Sequence, residues 1–202
     1  MSTTKKLAIA VIALSLALVA FAGVSLAWLV STPEAVVNTF TVGNIVITLD
    51  EAPVDDNGKE TTGNRVISNT YKIIPGSEYD KDPTVHVAAK SEACYVYVKI
   101  SNPLAPIIAG TSIETQLTQN NWSPLTGVAG VYYIEVIADE AWAGKELPVF
   151  DGFKISGDVS NEPGSALLIS DYEDKQIVVT AYAVQSANMD DAVDAWTKAF
   201  GN

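Results

Sequence analysis

Apolar and polar positions alternate most regularly over Ala93–Ser101, where Cys94, Val96, Val98 and Ile100 share one face and Tyr95, Tyr97 and Lys99 the other. That period of two predicts a strand in a sheet with one buried side. The same pattern, more weakly, predicts strands over Arg65–Ile74, Thr84–Ala88, Ile113–Leu117, Val131–Ile137, Glu146–Phe150 and Gly152–Ser156. Over Phe40–Leu49 the parity changes. Phe40 and Val42 share a face, Ile45, Ile47 and Leu49 share the other, and a bulge at Gly43-Asn44 reconciles the halves. Gln176–Gln185 is apolar on both faces and predicts a central strand. The period then shifts: Met189, Val193, Trp196 and Phe200 fall at helical spacing, with Asn188 as the expected cap and Gly201 after the end. Many short strands and one late helix predict an all-β fold, an antiparallel β-sandwich with a short C-terminal helix. Jelly-roll topology is the first choice.

The connections are rich in turn formers. Asp50–Asn64 reads as an acidic excursion with a tight turn at Asn57-Gly58, Pro103–Gly110 as a proline-punctuated crossing, and Asp158–Asp174 as a long loop with a helical turn at Ala166–Ile169. Ahead of all this, Lys5 and Lys6 precede an apolar run from Leu7 to Val30, and no charge occurs between Lys6 and Glu34. A basic start, an apolar run and the small residues of Ser25-Leu26-Ala27 are the parts of an export signal. Cleavage between Ala27 and Trp28 is expected, making residues 1–27 a signal peptide. Ala20-Phe21-Ala22 is a second candidate, and the run is also long enough to remain as a membrane anchor. Residues 28–37 then form an N-terminal segment and residues 38–202 one sandwich domain, large enough for a sizeable core.

Charge narrows the partners. The chain carries 24 acidic residues against 12 basic ones, two of them in the leader, so it repels phosphate backbones and nucleic acid drops out. The single cysteine excludes an intramolecular disulfide. Cys94 lies in phase with three β-branched residues and reads as core. One histidine, one cysteine and no HExxH cannot build the usual zinc centres. His86, flanked by Val85 and Val87, reads as a surface residue. Asp55-Asp56-Asn57-Gly58 lacks the alternating ligands of a calcium loop. Trp122, Tyr132 and Tyr133 are candidates for a sugar-binding platform, although aromatic neighbours in strands more often pack the sheet. No catalytic set and no cofactor site can be named.

The run Ala27-Trp28-Leu29-Val30, continuing through Asn38-Thr39-Phe40-Thr41-Val42-Gly43, resembles the mature start of the TasA/camelysin family. Pro75-Gly76, Pro83-Thr84-Val85, Ala93–Lys99, Tyr132-Tyr133 and Ala181–Gln185 leading to Ala195-Trp196 extend the resemblance over nearly the whole chain. The family's Thr-Asp is replaced by Val30-Ser31, and Pro33 stands as an extra residue before Glu34. The resemblance implies an exported protein of Gram-positive bacteria, processed by a SipW-type signal peptidase. It implies a jelly-roll domain in biofilm matrix or on the cell surface, polymerising with itself by N-terminal donor-strand exchange. A minor matrix or anchor subunit is a further partner of that kind of fibre.

Trp28, Leu29, Val30, Val36 and Val37 are then the donor residues, with Pro33 barring a regular central ladder. Two other readings stand beside the fibre: a monomeric or membrane-tethered adhesin or ligand-binding module, and a camelysin-like peptidase, for which no nucleophile and base are found to match.

Overall fold

The computed structural model describes residues 44–162 and 164–201. The leader, the Ala27/Trp28 junction, the donor residues Trp28, Leu29, Val30, Val36 and Val37, and the strand expected from Phe40 to Gly43 lie outside the described residues. Within them the chain is an antiparallel β-sandwich. The strands are β1 (Ile47–Asp50), β2 (Glu78–Asp80), β3 (Thr84–Val87), β4 (Cys94–Ser101), β5 (Ile108–Ala109), β6 (Ser123–Pro124), β7 (Val131–Val136), β8 (Lys145–Pro148), β9 (Gly152–Ile155) and β10 (Val178–Gln185). Three α-helices accompany them: α1 (Ile113–Gln119), α2 (Ala138–Ala143) and α3 (Ala192–Phe200).

Two sheets, ordered β1-β3-β8 and β10-β4-β7-β6, enclose the main core, and a small third sheet, β2-β9-β5, carries a second one. Cys94, Val96 and Val98 of β4 meet Val85 and Val87 of β3 in the main core, with Leu147 of β8 and Trp122 beside them. Alternation decides this: residues two apart on each strand point inward together.

The opposite face of β4 is buried as well, contrary to the one-sided sheet expected from its pattern. Tyr95 and Tyr97 lie under α3, whose Trp196 ring centroid sits 5.1 Å from Tyr97 and 5.5 Å from Tyr182. Tyrosine's apolar ring permits that burial while its hydroxyl needs a partner, which a period-two reading scores as the polar side. The helix itself begins at Ala192, capped by Asp191 accepting from the Asp194 N–H, rather than at Asn188. Asn188 instead holds a left-handed backbone, φ 64°, in the turn before it.

Three strand assignments are corrected. Ile113–Leu117 is helical: Ser112 caps it by accepting the Thr115 N–H, and the buried pair Ile113 and Leu117, four apart, serves a helix face as well as a strand face. Arg65–Ile74 is irregular apart from the bridge between Val66 and Glu51. Side chains take the bonds a neighbouring strand would have made: the Asn69 amide receives the Val54 N–H and donates to the Ala52 carbonyl, and the Tyr79 hydroxyl receives the Ile74 N–H. The strand over Gln176–Gln185 begins at Val178 and, among the described residues, lies at the edge of its sheet, not at its centre. Both its faces are covered all the same, Ala181 by the main core and Tyr182 by the aromatic cluster under α3, and two covered faces produced the central-strand pattern.

Elsewhere the local signals correspond to structure. Gly58, φ 71°, closes the turn in which the Asp55 N–H reaches the Lys59 carbonyl. Asn44 takes a left-handed backbone, φ 64°, at the expected irregularity before β1. The helical turn in the long loop is a 3-10 turn at Ile169–Asp171, slightly later than predicted.

Candidate functional site

Among the described residues, β1 and β10 are each the last strand of a sheet, and their free edges face one groove. The Ala88 N–H donates to the Val46 carbonyl across the β1–β3 pair, so even-numbered β1 residues spend their backbone groups on β3. Antiparallel pairing alternates, and Ile47 and Leu49 therefore turn their N–H and C=O groups to the open side. The Ser186 N–H donating to the Ala93 carbonyl fixes the same parity in β10, where Val179, Ala181 and Ala183 point outward. None of these outward groups takes a backbone partner among the described residues.

Between the two edges lies a cavity of about 760 Å³. Its walls are Ile47–Glu51 on one side and Gln176–Ala181 on the other, closed around by residues 67–73 and by Phe153, Ile155 and Tyr172. Cα atoms of β1 and β10 come within 8 Å of each other in places. Because Ile47, Leu49 and Val179 also pack on the main core, the groove opens directly onto the sandwich interior.

Glu51 bounds the groove at the end of β1. Its backbone exchanges both hydrogen bonds with Val66, N···O 2.8 and 2.7 Å, which occupies the edge at that point. Its side chain is 5% exposed. Oε2 accepts a hydrogen bond from Lys81 Nζ, while Oε1 has no partner among the described residues. The Lys81 ammonium stands 5.7 Å from the centre of the Tyr71 ring, a second lining residue. Burial, and then the Glu51 charge, push the Tyr71 phenol well above its ordinary value. The Tyr71 hydroxyl accordingly stays protonated and donates to the Asp80 carbonyl.

Outside the groove, Arg65 joins β1 to the turn before β3: its guanidinium donates to Asp50 and, at 2.8 Å, to Asp82. Burial opposes the Arg65 cation, but those two carboxylates outweigh it and hold the guanidinium above its usual value. His86 does face away from its neighbouring valines, as expected, but it is half-buried rather than free. Nε2 lies 2.8 Å from Asp50 Oδ1 and Nδ1 lies 3.6 Å from Glu146.

The aromatic platform is not assembled. Trp122 is buried, donating its indole N–H to the Pro148 carbonyl at 2.8 Å, and the adjacent Tyr132 and Tyr133 point into different cores. Cys94 is fully buried in the main core, and desolvation pushes its thiol up to about 12. Among the described residues no three His, Cys, Asp or Glu side chains are grouped to hold a metal ion. The groove itself has no signature in the sequence, since its walls are more than a hundred residues apart. No protein-family model, curated protein or solved structure matches the chain.

Proposed function

We propose that this protein is an exported structural subunit that polymerises into extracellular or biofilm-matrix fibres, residues 28–37 of one copy entering the groove of the next. The observation that carries this reading is the pair of edges, β1 and β10, open among the described residues and flanking a cavity that opens onto the core. An extended segment laid there gains backbone hydrogen bonds from Ile47 and Leu49 or from Val179 and Ala181, and its alternate side chains gain apolar contact. The resemblance at the Ala27-Trp28 junction supports the same reading and supplies the donor residues Trp28, Leu29, Val30, Val36 and Val37. Repeated head to tail, the contact does not close on itself and builds filaments.

Neighbouring strands lie about 4.8 Å apart, so a segment paired with both edges needs them about 9.6 Å apart. The present approach of under 8 Å means that entry either spreads the sheets by a few ångströms or uses one edge alone. A cavity of about 760 Å³ also falls in the range of about 300–1,000 Å³ usual for small-molecule sites, which favours a ligand-binding surface module as the second reading.

The test is electron microscopy of exported protein with and without residues 28–37, behind the same leader. Fibres from the intact chain and a soluble, folded monomer from the truncated one are expected. Identical filaments from the truncated protein would remove the donor role, and a truncated chain that cannot fold would assign the segment to its own core.

A further inference from the structure

The carboxylate of Glu51 is buried, lines the groove and, among the described residues, has a partner for only one of its two oxygens. An ionised carboxylate accepts several hydrogen bonds, and leaving an oxygen dry and unpartnered is costly. Lys81 neutralises the charge but reaches only Oε2. Oε1 therefore lacks a donor, and a cationic donor best of all.

The segment assigned to the groove has one such group. Between Trp28 and Gly43 there is no lysine, arginine or histidine, and Glu34 is the only charged side chain. Cleavage after Ala27 creates an α-ammonium on Trp28, which ordinarily titrates near ~8 and is largely charged at neutral pH. Direction follows from the edge itself. Val66 already holds the backbone of Glu51, so a strand joining β1 at Ile47 and Leu49 must stop there. A strand running antiparallel to β1 stops with its N-terminus. With Trp28 opposite Leu49, short of the place that Val66 fills, Pro33 falls past Ile47 opposite position 44, where its missing N–H forfeits no outward bond.

We infer that the groove ends in a receptor for the new amino terminus of a processed neighbour, Glu51 Oε1 accepting from the Trp28 ammonium with Trp28–Thr32 antiparallel to β1. This rests on the fibre reading above and adds to it a chemical checkpoint: an uncut chain, or one trimmed at another residue, presents no ammonium at that place.

The experiment compares fibre growth of the processed chain in four forms: unmodified, acetylated on the Trp28 amine, Glu51→Gln, and Glu51→Gln with the acetyl group. The acetyl group leaves Glu51, Lys81 and every other described side chain unaltered, so it tests the contact even where Glu51→Gln weakens folding through Lys81. Acetylation is expected to raise the concentration needed for growth about tenfold or more in the Glu51 chain and little in the Glu51→Gln chain. Equal thresholds for the free and acetylated chains, with fibres present in both, would overturn the receptor and leave strand exchange standing. Absence of fibres from every form, the unmodified chain included, would overturn both.

Discussion

The Tyr97 hydroxyl donates to the Ala192 carbonyl at 2.7 Å inside the protein, joining the middle of β4 to the first turn of α3. One bond thus fixes where the terminal helix lies on the sheet. Its ring packs on Trp196, so the polar and apolar contacts hold the same pair of elements.

Tyr97→Phe should therefore destabilise the fold by about 1 kcal/mol, the usual worth of one buried hydrogen bond. Trp196→Ala, which empties the aromatic cluster, should cost about 3–5 kcal/mol. Denaturant midpoints of the two variants measure both, and the order between them is the expectation.

The Cys94 thiol should be inert in the native protein. It is buried against the main core and its pKa is pushed up to about 12, leaving almost no thiolate at neutral pH. Iodoacetamide labelling should proceed only as fast as the domain unfolds. Rapid labelling under native conditions would contradict the packing of β4.

On the fibre reading proposed above, proline at an outward edge position should separate folding from assembly. The Val179 N–H points away from β4, so Val179→Pro should keep the β4–β10 ladder and a near-native melting temperature while removing a donor from the groove. Fibre growth slowed with the domain intact is the expected result. Unchanged growth would mean that an incoming segment pairs with β1 alone.

Acid should loosen the acidic excursion before the core. The Asp55 carboxyl is held below its ordinary 3.8 chiefly by the Lys59 N–H. Partial burial opposes ionisation of Asp80, but the Glu60 N–H and Lys59 outweigh it and its pKa is lowered too. A depressed folded-state pKa contributes stability that is present above about 3.8 and is lost as pH falls through the lower folded value. Amide exchange at Asn57, Lys59 and Glu60 should accelerate below that point ahead of exchange in β4.

How much of this was legible in the sequence depended on whether the signal was local. β4 and α3 carry their own periodicity, and Asn57-Gly58 its own turn chemistry, so all three are found, α3 starting at Ala192 and not after Asn188. Ile113–Leu117 failed because two apolar residues four apart satisfy either period in so short a window. Arg65–Ile74 failed because side-chain bonds stand in for a ladder: its own Asn69 amide takes the Val54 N–H and the Ala52 carbonyl, and the Tyr79 hydroxyl takes the Ile74 N–H. Edge or centre cannot be read for β10, since hydrophobicity reports which faces are covered and says nothing about whether a neighbour lies alongside. The groove joins residue 47 to residue 181, and no window along the chain contains both walls.

The place of β10 and α3 also sets the order in which the domain can be completed. β4 is the inner strand between β10 and β7, and one of its two neighbours together with the cover over its tyrosines comes from residues 178–200. A chain emerging from a ribosome therefore has no finished main sheet until residues 178–200 are free. Until then β4 keeps a bare edge and a bare aromatic face. Folding must wait for the whole domain to arrive, and a product truncated before Val178 is a substrate for proteases, not a smaller version of the same protein.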